Sequence, residues 1–511
     1  MNKMIKVFIS ILIVSLVYAQ PLFTAETSLT KLTISDVKNT LLKSRLFRNA
    51  DMSKFDLTDI DMSRVSIHHS SLTESMLKNA RLTDSILISS DLSSCNLQKA
   101  EMTGIKADNL NLTKTVLRDT NLTCAAIYSS ILMEADLSGA NLRYGIIQNS
   151  DLSYAVLNNT NLSFTLINAD LSNANLNRAD LHGAYLTDVK LVNANMSNAN
   201  LSTSKIDKTN MKGSEKSRTI LTKANLSYAA IESSKMDYTL LGGAYMNGIS
   251  MNKVDLNYAD LSYANISNAF IRNTEFNNAD LQHAVLVDSY LADIEFKDAK
   301  MSSADLKKAD LSGAIMTGAI MNAVDLTGSD LSRANLKSAN LSGSKIEDVK
   351  LDGADLTNAV LDGAILKNIY LNNTILNSAS LKNVDLKGLN LSGIKMNRAQ
   401  LSGSFLNRVD FSNADLSFAI LSGCDLGDAN LQGTNLANAD LSAAILEGVS
   451  LKDSNLKNTV FVNAKMSGAD LEGADVKGAD FSGVDIKSLK NLELTKNSDK
   501  AKGLIITTPE Q

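Results

Sequence analysis

The sequence predicts an all-β solenoid, a chain wound as a square parallel β-helix, and three observations carry that prediction. An apolar residue returns at every fifth position through most of the 511 residues. A small residue, usually Ala, stands two positions before it. The only two prolines, Pro21 and Pro509, lie outside this rhythm. A period of five fits neither 3.6 nor 2. On an α-helix the apolar positions would smear around the axis, and on a flat strand they would alternate between faces. A chain that turns a corner every five residues instead sends every one of them inward, and four corners close one coil. Stacked coils then hydrogen-bond as neighbouring strands do, about 4.8 Å apart. Proline has no N–H to donate to such a ladder, so its exclusion from the rhythm is expected.

The inward centres run Met52, Leu57, Met62, Ile67, Leu72 and onward through Leu162, with Ala107 as a small interruption and faint earlier positions at Phe47 and Leu42. One residue is then missing, because nine positions rather than ten separate Leu162 from Leu171. The rhythm resumes at Leu171 and continues to Ile486, and Lys216 is its one centre that is not apolar. Like residues twenty apart, such as Asn121, Asn141 and Asn161, should stack on successive coils.

The A-(D/N)-L-x-x units, as in Ala304-Asp305-Leu306, Ala309-Asp310-Leu311, Ala334-Asn335-Leu336 and Ala339-Asn340-Leu341, resemble the pentapeptide repeat family. The resemblance covers residues 45–490. It implies a right-handed quadrilateral β-helix of roughly 22 coils, a rod on the order of 105 Å long.

The ends read differently. Residues 1–19 have a basic start, an apolar run from Val7 to Val17 and the small-residue motif Val17-Tyr18-Ala19, which together form a signal peptide. They predict an exported protein, periplasmic or extracellular. Within residues 20–44, Ser35 to Lys43 reads as a capping helix with Ser35 as N-cap and Val37, Leu41 and Leu42 on one face. The stretch 491–511 reads as a tail that closes the last coil, which an open solenoid end requires.

Chemistry is hard to place on this chain. His68, His69, His182 and His283 all fall at outward positions and are too scattered to share a metal or a proton. Asp470, Asp475, Asp480 and Asp485 precede successive centres, so on a square coil they point four ways and form no calcium cage. Cys95 and Cys424 fall in small inward slots and Cys124 outward. No glycine-rich phosphate loop precedes a helix. The expectation is therefore no enzyme activity, no cofactor and no metal. Net charge is −5 with the signs interspersed, so no footprint for nucleic acid appears. The stretch from Asp410 to Asp485 is acidic, with twelve Asp/Glu against four Lys.

What remains are departures from the rhythm. The breaks near 162–171 and 212–220 interrupt the rod. A buried unpaired ammonium at Lys216 would cost several kcal/mol or more, so the 212–220 stretch is expected to bulge outward. Just beyond it come Tyr228, Tyr238, Tyr245, Tyr258, Tyr263, Phe270 and Tyr290, all outward. Tyr238 and Tyr258 should stack on one face and Phe270 and Tyr290 on another. Exposed tyrosines suit protein partners, although cross-coil support of the ladder also explains them. These residues, with Lys216 and Arg218, are the candidate partner-binding positions. The function expected is a rigid, exported protein-interaction scaffold; the alternative is a secreted, host-directed effector built on the same rod. A DNA mimic that modulates a topoisomerase is a remote alternative, poorly matched by the balanced charge and the signal peptide. An end-to-end homodimer is the oligomer that open coil ends would favour.

Overall fold

In the computed structural model, residues 28–504 are described, and the signal-peptide stretch lies outside them. The chain is a parallel β-solenoid. Its strands are short because most span only the three residues around a centre, such as Ser66–His68 or Ile86–Ile88, with the middle residue buried. Coil stacks on coil in register: Leu46 pairs with Ser66, Ser66 with Ile86, and Ile86 with Lys106. The same side recurs about 22 steps later at Lys490. On this side the strands form one 12-stranded sheet from Leu46–Arg48 to Phe270–Arg272. Among the described residues no helix is long and apolar enough to cross a membrane.

Two local devices turn the corners. The Asp or Asn before each centre accepts the N–H of the residue two further on, as Asp61 Oδ1 does from Ser63 at 2.9 Å and Asp330 Oδ1 from Ser332 at 2.9 Å. This is an Asx turn, which a short carboxylate or amide makes best. Two residues after the centre the backbone enters the left-handed region, where Asn, Asp and Gly are tolerated. At Gly183 (φ 62°) a Cβ would lie 2.6 Å from the Phe164 ring, so any larger residue would displace that ring.

The interior is a continuous apolar column of centres and small residues, nearly all fully buried. Ser or Thr in a small slot donates its hydroxyl to the carbonyl 23 residues earlier, as Ser75 Oγ does to Met52 O at 2.8 Å and Thr115 Oγ1 to Leu92 O at 2.8 Å. Buried phenylalanines stack along the axis, Phe276 on Phe296 at 5.0 Å and Phe461 on Phe481 at 4.9 Å. The Asn121–Asn141–Asn161 series stacks in register as expected. The Asn141 amide nevertheless donates to Thr123 Oγ1 at 3.0 Å rather than to another Asn.

Helix α1 spans Ile34–Lys43. Its N-cap is Thr33 rather than Ser35: Thr33 and Asp36 satisfy one another's backbone N–H groups in a capping box. Val37 and Leu41 seal the first coil, whereas Leu42 is 85% exposed and belongs to the helix's solvent side. At the other end the rod closes with one widened coil. Lys490, Lys496 and Lys502 pair above Asp470, Asp475 and Asp480, and three 3₁₀ turns, Ile486–Ser488, Leu492–Leu494 and Ser498–Lys500, lengthen the sides. Asn491 and Asn497 donate to Asp470 and Asp475 at 2.7 and 2.8 Å, and Leu504 is buried.

The missing residue before Leu171 is absorbed at one corner. Gln148 still pairs with Asn168, but Ser150 pairs with Ala169, so Asn149 is skipped as a bulge. Register is 19 from Asp151↔Asp170 to Leu166↔Tyr185 and returns to 20 at Asp170↔Lys190.

A second departure leaves the five-residue spacing intact. One small slot is filled on four successive coils by Val349, Ile369, Leu389 and Val409. Large residues in such slots elsewhere are flanked by small ones: Ile294 lies between Thr274 and Ala314, and Ile249 between Ala229 and Ala269. Where Ile369 and Leu389 meet, the coils separate. Val360↔Ser380 and Ile375↔Lys395 are bridged, but Ile365 and Asp385, and Tyr370 and Asn390, are not. The N–H groups of Asn368, Leu371, Asn373, Asp385 and Asn390 have no hydrogen-bond partner among the described residues. Ile369, Leu371 and Leu389 are only partly buried. Overpacked methylenes push neighbouring backbones apart, and here the coil-to-coil ladder yields.

Candidate functional site

The Lys216 break is an outward loop, as the charge argument required. Register jumps from 20 to 25 for Asn195↔Ile220, Asn200↔Asn225 and Asn210↔Lys235. Met211 and Leu221 remain consecutive buried centres, and the five extra residues leave the rod between them. Ser214 and Ser217 pair their backbones in a tight hairpin, N···O 2.7 and 3.3 Å, with Glu215 and Lys216 exposed at its tip. Thr219 then re-enters the small slot and donates to Leu191 O at 2.7 Å.

The base of the loop is pinned. The Gly213 N–H donates to Asp237 O at 2.9 Å, and a Cβ on Gly213 would lie 2.6 Å from Ser217 O. Asp237 is buried beneath the loop, with Lys212 Nζ 3.9 Å from its Oδ2. Its neighbour Asp255 is pushed above the usual carboxylate range, first by burial and then by the like charges of Asp237 and Glu275.

Tyr238 and Tyr258 stack face to face, centroids 4.9 Å apart and planes 6° from parallel. The Arg218 guanidinium lies over the other side of Tyr238 at 6.0 Å. Stacking uses the ring faces, so ring edges and phenolic hydroxyls remain for a partner. Phe270 and Tyr290 also stack as predicted, at 5.1 Å, with Arg272 over Phe270 at 4.0 Å. Tyr263 pairs with His283 at 4.8 Å, and the ring of Tyr228 covers Gly248. The seven aromatics do not make one patch. By register Tyr238 and Tyr258 share the loop's corner, Tyr263 the next and Tyr228 the one beyond; Tyr245 and the Phe270–Tyr290 pair occupy two sides. Only Tyr238 and Tyr258 share the corner of the loop that carries Lys212, Lys216 and Arg218, and among these Arg218 is the one over a tyrosine ring.

A second aromatic group escaped the sequence reading. Tyr144 stacks on Phe164 at 5.4 Å, His182 meets Phe164 edge-on at 5.2 Å, and Arg143 lies 4.6 Å over Tyr144. The signal was present, because Tyr144 and Phe164 are twenty residues apart, the length of one coil. On the neighbouring side Ala126, Ile146, Leu166 and Tyr185 occupy, on successive coils, the position where Asp or Asn is usual. His182 Nδ1 pairs with Ser202 Oγ at 2.9 Å, and among the described residues no three metal-binding side chains meet. The Cys95 and Cys424 thiols are pushed up to about 12 and about 11 by burial, and each lies against a carbonyl, Leu72 and Leu401. Cys124 is exposed.

Comparison with known proteins places this geometry. A family model described as pentapeptide repeats matches residues 75–202 and 234–483, and the gap between the two stretches contains the loop. No curated protein matches the chain. Among solved structures, HetL, a pentapeptide repeat protein involved in heterocyst differentiation regulation in the cyanobacterium Nostoc sp. strain PCC 7120, is 27% identical, with a TM-score of 0.32 over 43% of this chain and 89% of its own. QnrB1, a plasmid-mediated fluoroquinolone resistance protein, is 20% identical, with a TM-score of 0.30 over 40% of this chain and 91% of its own. A pentapeptide repeat protein from the Arabidopsis thaliana thylakoid lumen is 28% identical, with a TM-score of 0.13 over 22% of this chain and 70% of its own. The family model covers well over half of the sequence, and the chain belongs to the pentapeptide repeat family.

Proposed function

We propose that this protein is a non-enzymatic, exported scaffold that binds a protein partner through the 212–218 loop and the Tyr238–Tyr258 stack beside it. One observation carries the proposal: a hairpin built at the cost of a register jump, pinned at its base by Asp237 and flanked by paired tyrosines and three cationic side chains. Loops on rigid scaffolds commonly carry binding residues, and exposed Tyr and Arg are the side chains best suited to anchor a protein interface. Export rests on the sequence of residues 1–19. Amino-terminal sequencing of the mature protein should find Gln20 first, and recovery from the medium rather than the periplasm would favour the effector reading.

The loop can be removed without disturbing the rod. Deleting 213–217 joins Lys212 to Arg218 and leaves Met211 and Leu221 five positions apart, which is a regular corner. Crosslinking of mature protein in its own cells should give a defined adduct that disappears with this deletion and weakens with Tyr258→Ala. Adducts unchanged by both variants would sink the reading.

A further inference from the structure

The 12-stranded side of the rod carries a second, independent surface. In each three-residue strand the first and third side chains point outward, so this side presents two columns. The first column includes Ala126, Ile146, Leu166 and Tyr185 in unbroken succession, all at least partly exposed and centred on the shortened coil. Contiguous exposed apolar surface on a flat sheet marks a contact. Charges bracket it: Lys106 and Asp108 on one strand below, and Lys205 and Asp207 on one above. Lysines elsewhere pair across coils, as Lys190 does with Asp170 and Lys350 with Asp330. None of these four does so among the described residues.

We infer that this side is a docking surface for a second copy of the chain, with the two rods side by side, parallel, and related by a two-fold axis along their length. That operation sets the first column of one copy against the third-residue column of the other at equal height. Lys106 then faces the other copy's Asp108, and Lys205 its Asp207, while Ala126, Ile146, Leu166 and Tyr185 lie against the other copy's Tyr128, Gln148, Asn168 and Thr187. Antiparallel rods centred on the apolar column would set Ile146 on Leu166 and Ala126 on Tyr185, but would oppose Lys106 to Lys205 and Asp108 to Asp207; two repulsive pairs in place of two attractive ones select the parallel arrangement. Twelve strands give a strip roughly 50 Å long. At roughly 10 Å width it buries on the order of 1,000 Å² in total, the low end for a specific interface, so the dimer should be weak and concentration-dependent. The 212–218 loop lies at a corner not shared with this side and stays free.

Sedimentation velocity of the full chain, over a series reaching on the order of 100 μM, should show a reversible monomer–dimer equilibrium. Lys106→Glu with Lys205→Glu should weaken it about tenfold or more, and adding Asp108→Lys with Asp207→Lys should restore it. Ile146→Asp should abolish it while the circular dichroism spectrum of the rod is retained. A monomer throughout the series overturns the inference. So does a dimer indifferent to these changes, which would place the contact at the rod's ends, or one tightened by Lys106→Glu alone, which would mean antiparallel rods.

Discussion

The 212–218 loop and the seam at Ile369–Leu389 are both departures from a regular coil, and they differ in a way that separates length from volume. The loop inserts five residues, yet the rod beneath it is intact: Met211 and Leu221 are buried and coil-to-coil pairs resume at register 20 with Ile220↔Leu240. The seam inserts nothing, yet two successive coil-to-coil bridges are absent. A solenoid is held by nearest-neighbour interfaces. An inserted segment that starts and ends at the same corner leaves those interfaces alone. Two oversized side chains in one slot enter the interface itself.

The largest expected effect contrasts a regular coil with the seam. Leu286→Ala, at a fully buried centre, should cost about 2–5 kcal/mol in denaturant unfolding. Leu371→Ala, at the partly open centre beside the seam, should cost about 1 kcal/mol or less by the same relation. Equal costs would mean that the seam is as tightly packed as the rest of the rod.

Next is closure of the seam. Ile369→Ala with Leu389→Ala relieves overpacking of about 1–3 kcal/mol while removing partly exposed apolar surface. The pair should therefore cost less than Ile294→Ala alone. Hydrogen exchange gives a direct reading: the amides of Leu371 and Asn390 should exchange fast in the parent and become protected in the double variant. Protected amides in the parent would contradict the open ladder.

Acid should act unevenly along the rod. The Asp480 carboxyl is held down at about 2 by the Ser482 hydroxyl, by Lys502 and by the Ser482 N–H. Asp470 and Asp475 are also held low: hydrogen bonds from Asn491 and Asn497, from the following backbone N–H groups and from Lys452 and Lys457 together outweigh burial, the largest single influence, which raises them. A carboxylate depressed in the folded state contributes stability that is complete above its unfolded value and is lost as pH falls through the folded one. The closing coil should accordingly loosen between about pH 4 and pH 2, seen as amides from Lys490 to Lys502 losing protection before those of residues 411–446. Simultaneous loss would show that these contacts do not hold the cap.

The smallest effect is expected from deleting 213–217. Surface changes away from the core lie within about 0.5 kcal/mol, so the unfolding midpoint should hardly move. A large drop would show the loop to be a structural brace.

Much of this was legible beforehand because the code is positional. A centre every five residues fixes the coil, and a lysine at a centre has to leave the dry interior, so the loop at Lys216 follows from charge alone. The Tyr238–Tyr258 and Phe270–Tyr290 stacks follow from a spacing of twenty. The N-cap is Thr33 rather than Ser35 because the Thr33–Asp36 capping box, itself present in the sequence, sets it one turn ahead of the apolar face. Which sides Tyr228, Tyr245 and Tyr263 share is less legible, because nearness along a solenoid chain says little about which of four sides a residue occupies.

By itself the sequence determined the solenoid, its length, the inward and outward positions and the site of the loop, since each is a matter of counting residues against a fixed period. Only the tertiary structure decided which sides the aromatics share, how the lysines of the last coil sit over the final aspartates, and that Ile369 and Leu389 pry the ladder open. Those outcomes depend on side-chain volume and direction between coils twenty residues apart, which a five-residue rhythm does not record.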